Sequence, residues 1–482
     1  MLGHSRSSLL ISVLALSLAC LAAPARAADS FAQGIAAFNR GEFASAIEHF
    51  TAAAEAKPDD AAVLAWLGSA QLRAGQNEQA ITSLSKAIEI DPKLPEAHNN
   101  LGSAYWALGK AKEAIEHYQE AIYLQPHYSP PHYNLGTVYL AVEQFDQAIG
   151  EFTVAVDLNP KNAGAYNNLG VAYERKGELS QAAAAYGKAV ELQPDNQSLR
   201  LNLALALRAA GKTDEAIQHL SRLVAADTKD PAAYINLGLI RYDRKEYKLA
   251  LEAFGRAVAL APMNAAAHYN LGLCARELGR TEEAKQAFER AVEIAPNAAN
   301  AQINLGAMEL DAGNAAGAID HFAAALKANP DSYSASFNLG LAYVRLGRDE
   351  DAIRVWSALR ERAPDDAAVR EGLASANFRL HRYDDAKREY QALIELRPKD
   401  LSAHNNLGII YEEFGQLEEA AAAYQAALAI DPNYAPAHNN LGVVYERQDK
   451  LELAIAEYRA ALEADPSLED AQHNLERLAG SE

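Results

Sequence analysis

The chain has 482 residues, half of them hydrophobic, and a formal charge of −20 at pH 7. That sign argues against nucleic acid, whose phosphates select basic surfaces, and it favours solubility. Its two cysteines, Cys20 and Cys274, make neither a spaced metal pair nor a disulfide framework.

The first 27 residues stand apart from the rest. His4 and Arg6 precede an apolar run from Leu9 to Ala23, and Ala25-Arg26-Ala27 has the small-x-small form of a signal-peptidase site. The run is short for a membrane span. The expectation is a cleaved secretory signal over 1–27 and a periplasmic or secreted mature chain with no integral span. A lipoprotein anchor at Cys20 is disfavoured, because Ser17 stands where a Leu-like residue is needed. Cys274 is then left alone and is expected to pack as a small apolar residue.

From there one pattern recurs every 34 residues. An alanine register runs without a gap from Ala46 to Ala454, and a proline register from Pro58 to Pro466 is broken only at Thr228. A period of this size means stacked supersecondary units rather than a closed globule. Residues 95–128 serve as the reference. His98, Leu101, Gly102 and Tyr105 fall on one helical face, and Ala114, Ile115, Tyr118, Ala121 and Ile122 make a second stripe. Gly109 is a helix stop suited to positive φ, and Pro126 ends the second helix because it lacks an N–H. Gly102 and Ala114 are small so that the two helices approach closely. Tyr118 and its equivalents fill the space between them, each worth about 1.5–3 kcal/mol when buried. One pair still leaves an apolar face open, so the units must stack.

Along the chain, the first unit is degenerate at Gln33. Residues 61–196 are regular, and the unit 197–230 is weak, with Ala204, Leu220, Leu223 and Thr228 at the usual Gly, aromatic, Ala and Pro places. Residues 231–366 are regular again. The unit 367–400 departs with Ala374, Asn377 and His381, and 401–468 returns to pattern. Superhelical pitch is expected to change near 220–231 and 359–381, or else these departures have no geometric effect. Residues 469–482 supply one more first helix, with a polar outer face that suits a cap.

Leu101-Gly102, Tyr105, Ala114, Tyr118, Ala121 and Pro126 make each unit resemble the tetratricopeptide repeat, over about residues 27 to 482. The resemblance implies an all-α, right-handed α-solenoid, a superhelix of about 13 helix pairs over 28–468 with a C-terminal capping helix over 469–482. It further implies first helices on the concave side, protein binding as the activity, and no catalytic residues. The Asn-rich first helices are similar to the repeat arm of protein O-linked N-acetylglucosamine transferases, without that enzyme's catalytic domain.

The sharpest candidate site is an asparagine one place before the recurring leucine: Asn100, Asn134, Asn168, Asn202, Asn236, Asn270, Asn304, Asn338, Asn406, Asn440 and Asn474, interrupted at Trp66 and Gly372. At about 100° per residue these side chains lie outside the pair's own core, on the groove side. Asn is a mediocre helix former, so propensity does not explain its reuse. A carboxamide offers one acceptor and two donors, enough to grip the main chain of an extended peptide whatever its side chains. The other reading is that each Asn bonds to the next unit's backbone or to water. A net hydrogen bond gives about 0.5–1.5 kcal/mol while ordering a peptide residue costs about 1–2 kcal/mol, so affinity must come from side-chain anchors. Ile235, Leu239, Tyr242, Tyr269, Leu273, Ile303, Leu310, Phe337, Leu341 and Val344 are expected either to supply them or to pack between units. Asn99, Asn167, Asn405 and Asn439 double the amide elsewhere.

His98, His132, His268, His404 and His438 lack the i, i+4 spacing of a zinc helix and are read as packed. Gly211-Lys212-Thr213 lacks the earlier glycine of a phosphate loop. No cofactor, metal site or enzyme activity is expected. The expected partners are proteins or peptides. Three roles fit: a scaffold binding extended segments, a structural part of an envelope polysaccharide or secretion assembly, or a substrate-presenting arm for a separate transferase.

Overall fold

A computed structural model of the chain describes residues 29–479. The signal reading of 1–27, Cys20 with it, and the tail 480–482 lie outside the described residues. Among those described there is no strand, and the chain divides into two compact units, Met1–Ile240 and Arg241–Glu482. Each is an all-α solenoid of stacked helix pairs.

In the first unit the helix over 29–39 pairs with Phe43–Ala56, Ala61–Arg73 with Asn77–Ile90, and Pro95–Ala107 with Ala111–Leu124. Ser129–Ala141 then pairs with Phe145–Leu158, Ala163–Lys176 with Leu179–Leu192, and Gln197–Ala209 with Thr213–Ala225. The division falls inside helix Pro231–Asp243. The second unit continues the alternation from Tyr247–Leu260 to Leu451–Ala464 and ends on the lone helix Glu469–Ala479.

Local chemistry explains the boundaries. Many first helices open on side-chain caps, such as Asp60 accepting from the N–H groups of Ala62 and Val63, or Asn264 accepting from that of Ala267; Pro95–Ala107 opens without one, on a proline. They close on a Schellman turn: the Gly109 N–H donates to the Trp106 carbonyl and the Lys110 N–H to that of Tyr105. The turn needs positive φ, which Gly109 adopts at 74°. Glu143, Lys245, His381 and Asp449 hold the same place at 62°, 61°, 55° and 60°, without glycine's freedom. Thr228 replaces the usual proline and therefore has an N–H, which it donates to the Leu223 carbonyl. That bond builds a Schellman turn at Asp227, φ 50°, and helix Thr213–Ala225 has 13 residues where its neighbours Leu179–Leu192 and Tyr247–Leu260 have 14.

Between most pairs sits one aromatic ring; Leu84 and Leu220 take that place in two of them. Phe50, Phe152, Phe254, Phe288 and Phe322 are fully buried, as are Tyr118, Tyr186, Tyr424, Tyr458 and Trp356. The glycine on the facing first helix is small because of that ring: a Cβ on Gly102 would stand 2.9 Å from the Tyr118 ring. Where the ring is tyrosine, the first helix supplies a hydroxyl partner. Tyr118 donates to Ser103 at 3.0 Å, Tyr186 to Glu174 at 2.7 Å, Tyr424 to Glu412 at 3.2 Å and Tyr458 to Glu446 at 3.1 Å.

The histidines are packed, and they fasten consecutive units. Nε2 of His98, His132, His268, His404 and His438 lies 2.9–3.2 Å from the carbonyl of the proline six residues earlier. Each such ring ties a first helix to the turn before it. In the unit holding His132, Nδ1 reaches the Glu151 carboxylate at 2.7 Å; in the preceding unit, His98 Nδ1 meets His117 Nδ1 at 3.3 Å. Burial opposes charge on His132, but the bonds to Glu151 and the Pro126 carbonyl outweigh it and raise its pKa. Burial, and then the neighbouring His98, lower that of His117. The two clasps therefore answer pH in opposite directions. The His132 contribution is full below the ordinary imidazole value of about 6.5 and fades as pH rises through its raised value. The His117 contribution is full above about 6.5 and fades as pH falls through its lowered value. In urea unfolding, His132→Ala should cost more stability at pH 5.5 than at 7.5, and His117→Ala the reverse.

Candidate functional site

The asparagine register lies on successive first helices, and every member from Asn100 to Asn474 is half-buried. Its carboxamides fall into three states.

Most are zipped to the unit before. Asn100 donates to Ser69 Oγ at 2.7 Å, Asn134 to Asn99 Oδ1 at 2.9 Å, Asn168 to the Tyr133 hydroxyl at 3.2 Å and Asn202 to Asn167 Oδ1 at 3.0 Å. In the second unit Asn440 donates to Asn405 Oδ1 and Asn474 to Asn439 Oδ1, both at 3.1 Å. Asn406 donates instead to the Tyr390 hydroxyl at 3.0 Å. The doubled amides are therefore acceptors for the following unit, and Asn99, Asn405 and Asn439 are buried. These bonds run to side chains of the preceding unit rather than to backbone.

Two are pinned within their surroundings. Asn236 donates to the Ala232 carbonyl at 2.9 Å and accepts from Arg208 at 2.8 Å. Asn304 donates to the Asn300 carbonyl at 2.8 Å and accepts from Arg276.

Two are open. Asn270 and Asn338 make no side-chain hydrogen bond to another described residue, yet both are only half-buried. Their donors and acceptors face solvent on helices Ala265–Glu277 and Tyr333–Arg345. The same helices end on exposed charges, Glu277 and Arg345, and Asp311 ends the helix between them.

The signal that separates these states was present in the sequence. Asn134, Asn202, Asn440 and Asn474 each have an Asn 35 residues earlier, and Asn168 has Tyr133. Asn270 and Asn338 have Ile235 and Ile303 there, neither of which can accept a hydrogen bond.

Most of the expected anchors are half-buried and rest against the core. Tyr269 and Leu273 pack against the cluster around Phe288, Ile303 and Leu310 against that around Phe322, and Phe337, Leu341 and Val344 against that around Trp356. Trp356 also explains the gap at Gly372. Its ring lies where a side chain at 372 would go, with Cζ3 2.8 Å from the position of an added Cβ. Cys274 is buried, and that burial pushes its thiol up to about 12, so it is an inert packing residue. Among the described residues no group of three or more His, Cys, Asp or Glu is placed to hold a metal, and no helix is long and apolar enough to cross a membrane.

Stacked helix pairs with polar first helices define a helical-repeat protein of the interaction-scaffold class. The chain belongs to the tetratricopeptide repeat family. The TPR repeat model matches residues 72–109, and tetratricopeptide repeat models match 95–128, 133–197, 175–237, 235–299, 309–376, 371–435 and 423–456. Among solved structures it is similar to MamA, at 31% identity over 34% of this chain and 96% of that one, with a TM-score of 0.32. A thermophilic TPR protein of Thermus thermophilus is 26% identical over 38% of this chain and 98% of that chain, TM-score 0.32. A tetratricopeptide repeat protein of Parabacteroides merdae is 20% identical over 52% and 98%, TM-score 0.36. A search of curated protein sequences finds no match.

Proposed function

We propose that this chain is a non-catalytic scaffold that captures extended peptide segments across residues 265–345, with Asn270 and Asn338 as main-chain clamps. The observation that supports this is their state: two carboxamides at the register positions, solvent-facing and unspent, where most of the others are consumed by stacking. Each open amide accepts a peptide N–H and donates to a peptide carbonyl. First helices of neighbouring units such as Ala299–Asp311 and Tyr333–Arg345 are in contact, and helices pack about 8–10 Å apart. Two units then span roughly 16–20 Å, which an extended segment of about five or six residues bridges. Export through the signal over 1–27 is part of the proposal and places the scaffold in a periplasmic or extracellular space.

Screening residues 28–482 against an immobilised array of mixed-sequence 12-residue peptides tests this reading. Peptides that bind should lose fivefold or more in affinity to Asn270→Ala/Asn338→Ala, the equivalent of about 1–3 kcal/mol for two net hydrogen bonds. Equal binding by both proteins would remove the clamp from the account.

A further inference from the structure

The ladder is also interrupted at Trp66, and there the first unit of the chain holds a cavity of about 470 Å³. It opens between successive first helices. Phe38, Trp66, Leu72, Leu94 and Tyr128 line it, with alanines 62, 65 and 97 leaving the space that larger side chains would fill. Trp66 is held edge-on to Phe38 at 5.2 Å and stacked on Phe50 at 5.9 Å, so its ring is fixed before anything binds. The bond from Asn100 to Ser69 closes one wall.

Two charges line the same cavity. Arg73 is exposed, its guanidinium 5.4 Å over the Phe43 ring, and Glu96 is exposed on the next first helix. Neither has an ion-pair partner among the described residues. The chain's overall charge is −20, yet this cavity carries one charge of each sign. An aromatic interior flanked by a cation and an anion that lack ion-pair partners is complementary to an apolar side chain flanked by opposite charges.

We infer that this cavity is a separate peptide-anchoring site, which seats one aromatic side chain of a partner segment while Arg73 pairs with an acidic neighbour and Glu96 with a basic one. Rings of this kind meet edge-to-face or offset, and the rigid Trp66 loses little freedom on contact. The site uses none of the residues of the proposed clamp at Asn270 and Asn338, so each stands or falls without the other.

The test uses dye-labelled alanine heptapeptides with a central Asp-Phe-Lys, Lys-Phe-Asp, Asp-Phe-Asp or Lys-Phe-Lys, titrated with residues 28–482 and read by fluorescence polarisation. One of the two mixed-charge peptides should bind saturably and at least threefold more tightly than either like-charged one. Arg73→Ala and Glu96→Ala should each weaken it two- to fivefold, as expected of exposed ion pairs. Ala62→Leu, at an exposed place that leaves the fold intact, should narrow the cavity and weaken binding at least threefold. Asn270→Ala/Asn338→Ala should leave it unchanged, which separates failure here from failure of the clamp. No saturable binding, equal binding of all four peptides, or binding indifferent to Ala62→Leu would each overturn the assignment.

Discussion

Gly372→Asn should destabilise the second unit by about 1–3 kcal/mol, although it restores the residue that most other first helices carry at this place. A Cβ at 372 would stand 2.8 Å from Cζ3 and 3.0 Å from Cε3 of Trp356. Trp356 is 1% exposed and donates from Nε1 to the Phe337 carbonyl at 3.1 Å, so the ring has little room to retreat. Crowding a packed core in this way carries the stated cost. No stacking hydrogen bond offsets it, because the residue 35 places earlier is Phe337, which cannot accept from the new amide, and the gain in helix propensity over glycine is roughly a few tenths of a kcal/mol. The cost should shrink in a Trp356→Phe background, where the smaller ring frees the space. A double-mutant cycle by urea unfolding measures this directly, and a coupling near zero would mean that the ring and the glycine do not compete.

Removing both arginines that hold Glu389 should cost more, about 3–5 kcal/mol. The Glu389 carboxylate is 7% exposed and lies between Arg370, at 2.7 Å, and Arg360. Arg370 also donates to the Pro364 carbonyl at 3.0 Å, which ties the network to the turn before its helix. With Arg360→Leu and Arg370→Leu the carboxylate is left buried without a partner, and an unpaired buried charge is expensive. Adding Glu389→Leu should recover most of the loss, because well-packed apolar groups replace a buried ion network at little net cost. Unfolding midpoints of the double and triple variants decide this. A triple variant as unstable as the double would assign the loss to packing rather than to the stranded charge.

The fold was legible because its signals repeat. The alanine register needed no structure to show that helices meet there, and the proline register marked the turns between units. Glu143 and Lys245 hide the turn glycine, but the surrounding period places them correctly, and both adopt positive φ. The asparagine register was legible as a register only. Its chemistry depends on what stands across the stack, so Asn202 and Asn270 look alike in sequence until Asn167 and Ile235 are compared. The gap at Gly372 was illegible for a related reason: its cause is Trp356, which sits in the preceding unit. The cavity beside Trp66 could not be read from period at all, since it arises from small residues on neighbouring first helices.

Under the proposed function one register carries two jobs, stacking where the amide has an acceptor behind it and binding where it has none. The most direct measurement compares Asn134→Ala/Asn202→Ala with Asn270→Ala/Asn338→Ala, each for thermal unfolding and for affinity toward a peptide selected on the unmodified protein. The zipped pair should lower the melting transition of the first unit and leave affinity unchanged. The open pair should lower affinity fivefold or more and leave the melt unchanged. Loss of stability in both variants with affinity intact would contradict the account and leave the whole register as a stacking device.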